Sequence, residues 1–456
     1  MSKILQKSMI PNNNIHAQSI GRDSAIKFIT CGSVDDGKST LIGRLLVDSK
    51  SVLQDQIANV SKSGQIDLAQ FTDGLSAERE QGITIDVAYR YFSTSKRKFI
   101  IGDTPGHEQY TRNMITAASN ADAAIVLVDA TKLEWQLDNL RLLTQTCRHT
   151  LLVKMLRVPT IIFAVNKLDA IDAPDDSSQA ALGFHRICKA LRSFAKSAGV
   201  VIHSIVPISA LKGDNVVFHT QDWCGYEGES LLSILEKLQT TTTKEVSTFS
   251  MPVQWVEKFS NIKDPHQGRR IYWGRVASGQ ITKGQMLAIY PCGEKAKVAQ
   301  VLSHVRSEVN AKAGQSVGII LDRELDISRG DYLISSDPNL HIQNVRDVKV
   351  TLAWMDNNPL VLGRTYHALH GHRWVKAKIT KIISQLNIET MEDQEVKSLN
   401  ANAIGTVDMS IQETLPVLSF KKSKEMGSMI LVDTATHSTA GAVLFNDPEP
   451  LLEELI

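Results

Sequence analysis

The amino-acid sequence predicts an α/β phosphate-loop domain followed by two antiparallel β-barrel domains. Three observations carry this. A Gly-rich loop closing on Gly-Lys-Ser separates a strand-like run from a helix-like run. Up to about residue 239, short β-branched runs alternate with helical stretches. Beyond residue 248 the pattern changes to short strands punctuated by Gly and by charged turns.

A chain of 456 residues exceeds one core, and at about 150 residues per domain three domains are expected. The apolar runs of the first are Ala25–Thr30, Lys98–Ile101, Ala123–Val128, Thr160–Val165 and Val200–Pro207, and each leads into a loop and a helix-like segment. That alternation marks a mostly parallel, covered sheet. Ser230–Gln239 reads as its last helix, and the polar stretch Thr240–Thr248 as a linker. The runs Ile271–Val276, Gly284–Tyr290, Ala296–Val305 and Ser316–Leu321 then read as a small antiparallel barrel. A second all-β stretch contains Val348–Trp354, Ala377–Ile383, Gly405–Met409 and Met429–Val432. The expected boundaries are 1–24 for an N-terminal extension, 25–242 for the phosphate-loop domain, 243–343 for the first barrel and 344–456 for the second.

Lys plus Arg total 50 against 49 Asp plus Glu, so no global field draws the chain toward nucleic acid or anionic lipid. Five scattered cysteines without C-x-x-C spacing fit reduced thiols rather than a disulfide framework or a zinc site. The N-terminus has no continuous apolar stretch, and the most apolar run, Ala123–Val128, is too short to span a bilayer. A cytoplasmic protein without membrane attachment is expected.

The loop Gly32, Ser33, Val34, Asp35, Asp36 and Gly37, with Lys38, Ser39 and Thr40 at the helix start, matches G-x-x-x-x-G-K-[ST] in the strand–loop–helix setting it requires. Such a loop turns backbone N–H groups around phosphate oxygens, and the helix N-terminus adds a favourable dipole. Lys38 would reach the β- and γ-phosphates, and the Ser39 hydroxyl would ligate Mg²⁺. Gly102 to His107 (GDTPGH) follows a strand. Asp103 is the expected acid on the Mg²⁺ side, beyond the direct ligands, and the Gly106 amide is placed to sense the γ-phosphate. A lone His is usually structural; beside DTPG, His107 is expected to orient the attacking water. Thr84, in EREQGITID, would offer a hydroxyl to Mg²⁺ while the γ-phosphate is present.

Asn166, Lys167 and Asp169 form NKLD at the end of a strand. The Asp169 carboxylate can accept from guanine N1–H and the exocyclic amine together, whereas adenine would leave it unpaired. Asn166 would tie this loop to the phosphate loop, and the Lys167 stem would cover the base. Ser209, Ala210 and Leu211 would aim backbone N–H groups at guanine O6. The set reads as guanine-specific, which makes GTP the expected nucleotide.

In this order the motifs GSVDDGKS, GITI, DTPGH, NKLD and SAL resemble the translation-factor GTPases, the group containing elongation factor Tu. GRVASGQITKG and AGQSVGIILDRELDISRGDYL extend the resemblance into the second domain of that group. Several stretches resemble one branch, the GTPase subunit of bacterial sulfate adenylyltransferase. They are SVDDGKS, with Asp36 where elongation factors carry His or Ala, DGLSAEREQGITIDVAYRYF, DTPGHEQYTRNM with Gln109, PVQWVEKF and DTATHSTAGAVLF. The resemblance implies a small partner subunit that transfers the adenylyl group, with GTP hydrolysis driving ATP and sulfate to adenylyl sulfate and pyrophosphate. It also implies that Asp35 helps hold the phosphate loop or a monovalent cation. Delivery of aminoacyl-tRNA by an elongation factor is the alternative, which the near-zero net charge disfavours.

Three departures stand out. LEWQLDNLRLLT lengthens the link between Lys132 and Gln145, an expected extension of a surface helix, and QTCRH places Cys147 where Arg is common. HGHR at His370–Arg373 brings His367, His370 and His372 together; strand alternation explains them better than a metal. The sequence shows no second phosphate loop, so no fused adenylyl-sulfate kinase is expected. No arginine finger is assigned, although Arg79 lies in the switch segment.

Overall fold

The computed structural model describes residues 25–50, 61–62, 65–66, 68, 84, 86–107, 110–137, 140–171, 178–239, 248–258, 270–336, 342–388 and 390–447. The N-terminal extension, Arg79, Gln109 and most of the Thr240–Thr248 linker lie outside them.

Six strands build the first sheet: β1 (Ile26–Cys31), β2 (Ala88–Ser93), β3 (Lys98–Asp103), β4 (Ala123–Asp129), β5 (Thr160–Asn166) and β6 (Ser204–Ile208). Their order is β2-β3-β1-β4-β5-β6, all parallel except β2, which pairs antiparallel with β3. Helices α1 (Lys38–Asp48), α2 (Thr111–Ala118), α3 (Thr144–Met155), α4 (Ser178–Ala198) and α5 (Leu231–Lys237) cover it. Alternation along each strand feeds two cores. Ile26, Phe28, Ile125, Leu127 and Ile162 pack with Leu41 and Leu45 of α1 and Leu231 of α5. Ile29, Val126, Val128, Phe163 and Val165 pack on the other face with Met114 of α2, Leu151 of α3 and Ile187 of α4. A parallel sheet covered on both faces explains why these strands read as continuous apolar runs.

The second unit contains β7 (Ser250–Pro252), β8 (Trp255–Lys258), β9 (Arg270–Arg275), β10 (Met286–Tyr290), β11 (Lys295–Leu302), β12 (Ser316–Leu321) and β13 (Tyr332–Ser335). They form one antiparallel sheet in the order β8-β9-β12-β11-β10-β13-β7. It curls into a barrel: the Ser250 N–H donates to the Ser278 carbonyl at 3.1 Å and the Ala277 N–H to the Ser250 carbonyl at 2.9 Å, tying β7 back to the end of β9.

The third unit closes on itself. Strands β14 (Gln343–Trp354), β15 (Thr365–His370), β16 (Arg373–Leu386), β17 (Ile404–Val417), β18 (Ser428–Asp433) and β19 (Thr439–Phe445) run β15-β18-β19-β14-β17-β16, and β16 pairs again with β15. Closure leaves none of the six as an unpaired edge. Trp354, Tyr366, Val407, Met409 and Leu431 fill the interior, and the Trp354 indole N–H donates to the Asn358 carbonyl at 2.8 Å.

HGHR lies at the β15–β16 hairpin, and His367, His370 and His372 go to three different partners. His370 Nε2 lies 3.1 Å from the Met426 carbonyl, His372 Nε2 lies 3.0 Å from Gln254 Nε2, and His367 rests edge-on to Trp374.

The lengthened segment departs from the expected surface helix. Helix α3 begins only at Thr144, and the described residues between Leu133 and Leu143 are not helical. Leu133 and Trp135 are buried, Trp135 packs against Gly183 of α4, and Arg186 donates to the Trp135 and Gln136 carbonyls. Those carbonyls serve α4 instead of a helical ladder, so the segment follows the outside of α4.

Helix α3 joins two units. Its N-terminal half faces the carboxyl ends of the central strands. Just past its C-terminus, Arg157 lies over the Phe420 ring at 5.7 Å and donates to the Phe420 carbonyl. Ala353, Met355, Ile404 and Ala442 of the third unit join the same apolar cluster as Leu151 and Leu152. Among the described residues no helix is long and apolar enough to cross a membrane.

Candidate functional site

Strands β1, β3, β5 and β6 all deliver loops at their carboxyl ends to one crevice, the place where open α/β sheets bind ligands. A cavity of about 260 Å³ lies there, lined by Val34, Asp35, Gly37, Lys38, Ser39, Thr40, Thr84, Gly106, His107 and Lys167. Residues separated by 133 positions in sequence therefore meet in one site.

The structure divides the phosphate loop in two. Gly32, Ser33 and Asp36 hold the loop together. The Gly32 N–H donates to His149 Nδ1 at 3.1 Å, and the Ser33 N–H donates to Asp36 Oδ2 at 2.6 Å. Asp36 is wholly buried and turned away from the cavity; its other oxygen lies 3.0 Å from Lys132 Nζ. The remaining loop residues face the cavity. The N–H groups of Val34, Asp35 and Gly37 have no hydrogen-bond partner among the described residues. Helix geometry leaves those of Lys38, Ser39 and Thr40 free in the first turn of α1. Six converging donors at a helix N-terminus fit a phosphate chain.

Gly37 has to be glycine. It sits at φ +93°, and a Cβ there would lie 2.4 Å from Asn166 Nδ2. The close approach has a purpose. Asn166 Nδ2 donates to the Asp36 carbonyl at 2.8 Å while its Oδ1 accepts the Ala210 N–H at 3.0 Å. One amide thus ties the phosphate loop, β5 and the loop after β6 together.

The Lys38 ammonium is buried and folded back onto the Gly32 and Ser33 carbonyls, at 3.3 and 2.7 Å. Burial pushes its pKa down, against the opposing pull of Asp103 and Asp36. A polyanion in the cavity would oppose that shift and give the ammonium a better partner than two neutral carbonyls. Asp103 is buried, 3.3 Å from Thr30 Oγ1, and the Thr104 hydroxyl donates to the Thr30 carbonyl at 2.6 Å. The ends of β1 and β3 are fixed side by side.

Gly106 is packed directly on the phosphate loop: a Cβ there would lie 2.5 Å from Lys38 Nζ and 3.0 Å from the Val34 nitrogen. His107 borders the cavity edge-on to Tyr110, and its buried Nε2 has no hydrogen-bond partner among the described residues. Thr84 and Ser39 bring two hydroxyls to the same space. With Asp103 nearby, that donor set of hydroxyl and carboxylate oxygens fits a hard divalent cation.

At the other end of the crevice, Lys167 adopts left-handed backbone and donates to the Asp35 carbonyl at 2.6 Å and to Asp129 at 2.7 Å. Asp169 lies 3.4 Å from Lys212 Nζ. Ser209 and Ala210 are buried behind it, and Leu211 is exposed. Asp103, Asn166, Asp169, Ser209, Ala210 and Leu211 are not among the residues lining the cavity; they surround or extend it.

Sequence reasoning missed Lys132, Gln145, His149 and Lys212. QTCRH carried the signal for two of them, since residues 145 and 149 share a helix face. Lys132 had only its spacing from Asp129, three residues on, to mark it.

Residues 23–248 match the elongation factor Tu GTP binding domain family, and residues 347–444 match the GTP-eEF1A C-terminal domain-like family. Three similar relatives are proteins named sulfate adenylyltransferase subunit 1. That of Pseudoalteromonas atlantica is 39% identical over 97% of this chain and 91% of its own. Those of Alteromonas mediterranea and Laribacter hongkongensis are each 40% identical, over 92% and 93% of this chain and 87% and 86% of theirs.

Proposed function

This chain belongs to the sulfate adenylyltransferase subunit 1 family, and we propose that it binds GTP with Mg²⁺ and hydrolyses it to drive adenylyl sulfate formation from ATP and sulfate on a partner subunit. One observation carries the reading: the phosphate loop, Thr84, Gly106 and His107 border a single cavity. Delivery of aminoacyl-tRNA belongs to the wider superfamily, and the relatives named above carry the sulfate name instead.

The chain's own residues would divide the work. The free N–H groups from Val34 to Thr40 bind and orient the phosphates. Lys38 leaves the Gly32 and Ser33 carbonyls for the β- and γ-phosphate oxygens. Mg²⁺, held by the Ser39 and Thr84 hydroxyls with Asp103 behind them, would neutralise charge that develops on the phosphates. His107, with its buried unpartnered Nε2, would accept a hydrogen bond from the attacking water and set its direction. Asp169 would take the two guanine donors in place of Lys212, and Asn166 would keep base and phosphate pockets in register.

The test is GTP hydrolysis by the pure chain with and without ATP, sulfate and the adenylyl-transferring small subunit. Stimulation that requires the subunit, with adenylyl sulfate formed alongside, is expected. Activity indifferent to all three but raised by ribosomes would move the chain to the elongation-factor branch. His107→Ala should retain GTP binding and lose about 10²-fold or more in hydrolysis.

A further inference from the structure

His149 sits on the second turn of α3, wholly buried, with its two ring nitrogens aimed at different parts of the site. Nδ1 lies 3.1 Å from the Gly32 nitrogen, and Nε2 lies 2.8 Å from the amide nitrogen of Gln145, one turn earlier. The same amide lies 3.4 Å from the Gly106 carbonyl. A continuous path therefore runs from the first residue of the phosphate loop to the glycine behind Lys38.

The chemistry of the path is constrained at one end. A backbone N–H only donates, so Nδ1 must be the acceptor and the ring hydrogen must sit on Nε2. Burial keeps the ring neutral, which is the form this bond requires. Nε2 then donates, and Gln145 meets it with the amide oxygen. The Gly106 carbonyl, however, can only be met by the amide nitrogen. One atom cannot do both, so satisfying both contacts requires two settings of the amide, related by a half-turn. In one it accepts from His149; in the other it donates to Gly106, with the Arg148 guanidinium, 3.1 Å away, on its oxygen.

We propose that His149 and Gln145 are positioning residues for GTP hydrolysis. His149 fixes the Gly32 N–H and so the path of the phosphate loop, and Gln145 exchanges the ring for the Gly106 carbonyl as Gly106 moves between nucleotide states. Neither side chain touches the phosphates; both act through backbone atoms of residues that do. The inference rests on the GTPase reading above.

Two pairs of substitutions test it in the full chain with the partner subunit present, using a fluorescent GTP analogue and GDP for affinity. Gln145→Met keeps the side chain's length but neither donates nor accepts. It should lower kcat about tenfold and leave both affinities within about twofold, the size expected for one buried hydrogen bond made in only one state. Gln145→Glu, which accepts but cannot donate, should lose kcat likewise. His149→Leu should weaken both nucleotides about tenfold. His149→Asn, with an amide oxygen near the place of Nδ1, should recover most of that affinity. A merely structural pair would lower melting temperature without separating kcat from affinity and without rescue by Asn. Parental kcat in both Gln145 variants, or Asn no better than Leu at 149, would overturn the proposal. If the unsubstituted chain itself fails to bind GTP, the GTPase reading fails first and takes this pair with it.

Discussion

The wholly buried Asp36 carboxylate is held by Lys132, whose ammonium lies 3.0 Å from Oδ1 and also reaches the Val34 carbonyl. The lysine continues to Asp129 at 3.9 Å, Asp129 to Lys167 at 2.7 Å, and Lys167 to the Asp35 carbonyl. Alternating charges thus connect the phosphate loop to the NKLD loop. Lys132→Met would leave a buried carboxylate whose one remaining hydrogen bond among the described residues comes from the Ser33 N–H. The expected loss is about 2–4 kcal/mol, the lower part of the range because Lys132 remains partly exposed and screened. Adding Asp36→Ala should return part of that loss, since both charges are then gone. Urea denaturation of the two singles and the double gives the coupling; strictly additive losses would contradict it.

Gly106 leads to a second prediction. A methyl group there meets the movable Lys38 ammonium, but also the Val34 nitrogen and the Ser33 carbonyl carbon, at 3.0 and 3.1 Å. The lysine can yield; the loop backbone cannot without opening. Gly106→Ala should therefore cost about 1–3 kcal/mol of stability and lower GTP turnover by roughly 10²-fold. Wild-type turnover would mean that the phosphate loop accommodates the methyl group without functional loss.

Asp169 and Lys212 give the third. The carboxylate lies 3.4 Å from an ammonium that is 60% exposed. Such a pair contributes about 0–1 kcal/mol, so Lys212→Ala should change GTP affinity by no more than about fivefold. Asp169→Asn should instead shift preference toward xanthine nucleotides, because the amide presents a donor to the altered base edge. Competition between GTP and XTP for each variant measures both effects.

What could be read from the sequence follows period and motif. The strands β1, β3, β4 and β5 were legible because burial on both faces makes them uninterrupted apolar runs, and Ser33 to Thr40 because one motif fixes its own setting. The division of labour inside that motif was not legible. Nothing in GSVDDGKS says that Asp36 turns inward while Asp35 lines the cavity, since the difference depends on Lys132, 96 residues away. The segment after Lys132 misled for a related reason. LEWQLDNLRLL has helical composition, yet Trp135 finds a pocket on α4 and Arg186 takes the carbonyls a helix would have used. His149 was not singled out, because its Nδ1 contact with Gly32 exists only in three dimensions.

That contact also predicts a pH dependence. Burial, with smaller contributions from Lys38 and Arg148, lowers the His149 pKa to about 3, against about 6.5 for an unfolded histidine. Between these values the unfolded chain binds a proton that the folded chain refuses, so stability rises with pH across the window. The stabilising difference is complete above about pH 6.5 and is lost progressively as pH falls toward 3. At pH 5 the loss attributable to this residue is about 2 kcal/mol, from 1.36 kcal/mol per unit over roughly 1.5 units. His370, also buried with a lowered pKa, adds a loss of the same sign, but equally in every variant that retains it. Urea denaturation at pH 7 and pH 5 should therefore show the unsubstituted chain losing about 2 kcal/mol more than His149→Asn over that span, whatever the two stabilities at pH 7. Parallel losses would mean that the ring takes up a proton in the folded state, and a protonated Nδ1 could not accept the Gly32 N–H.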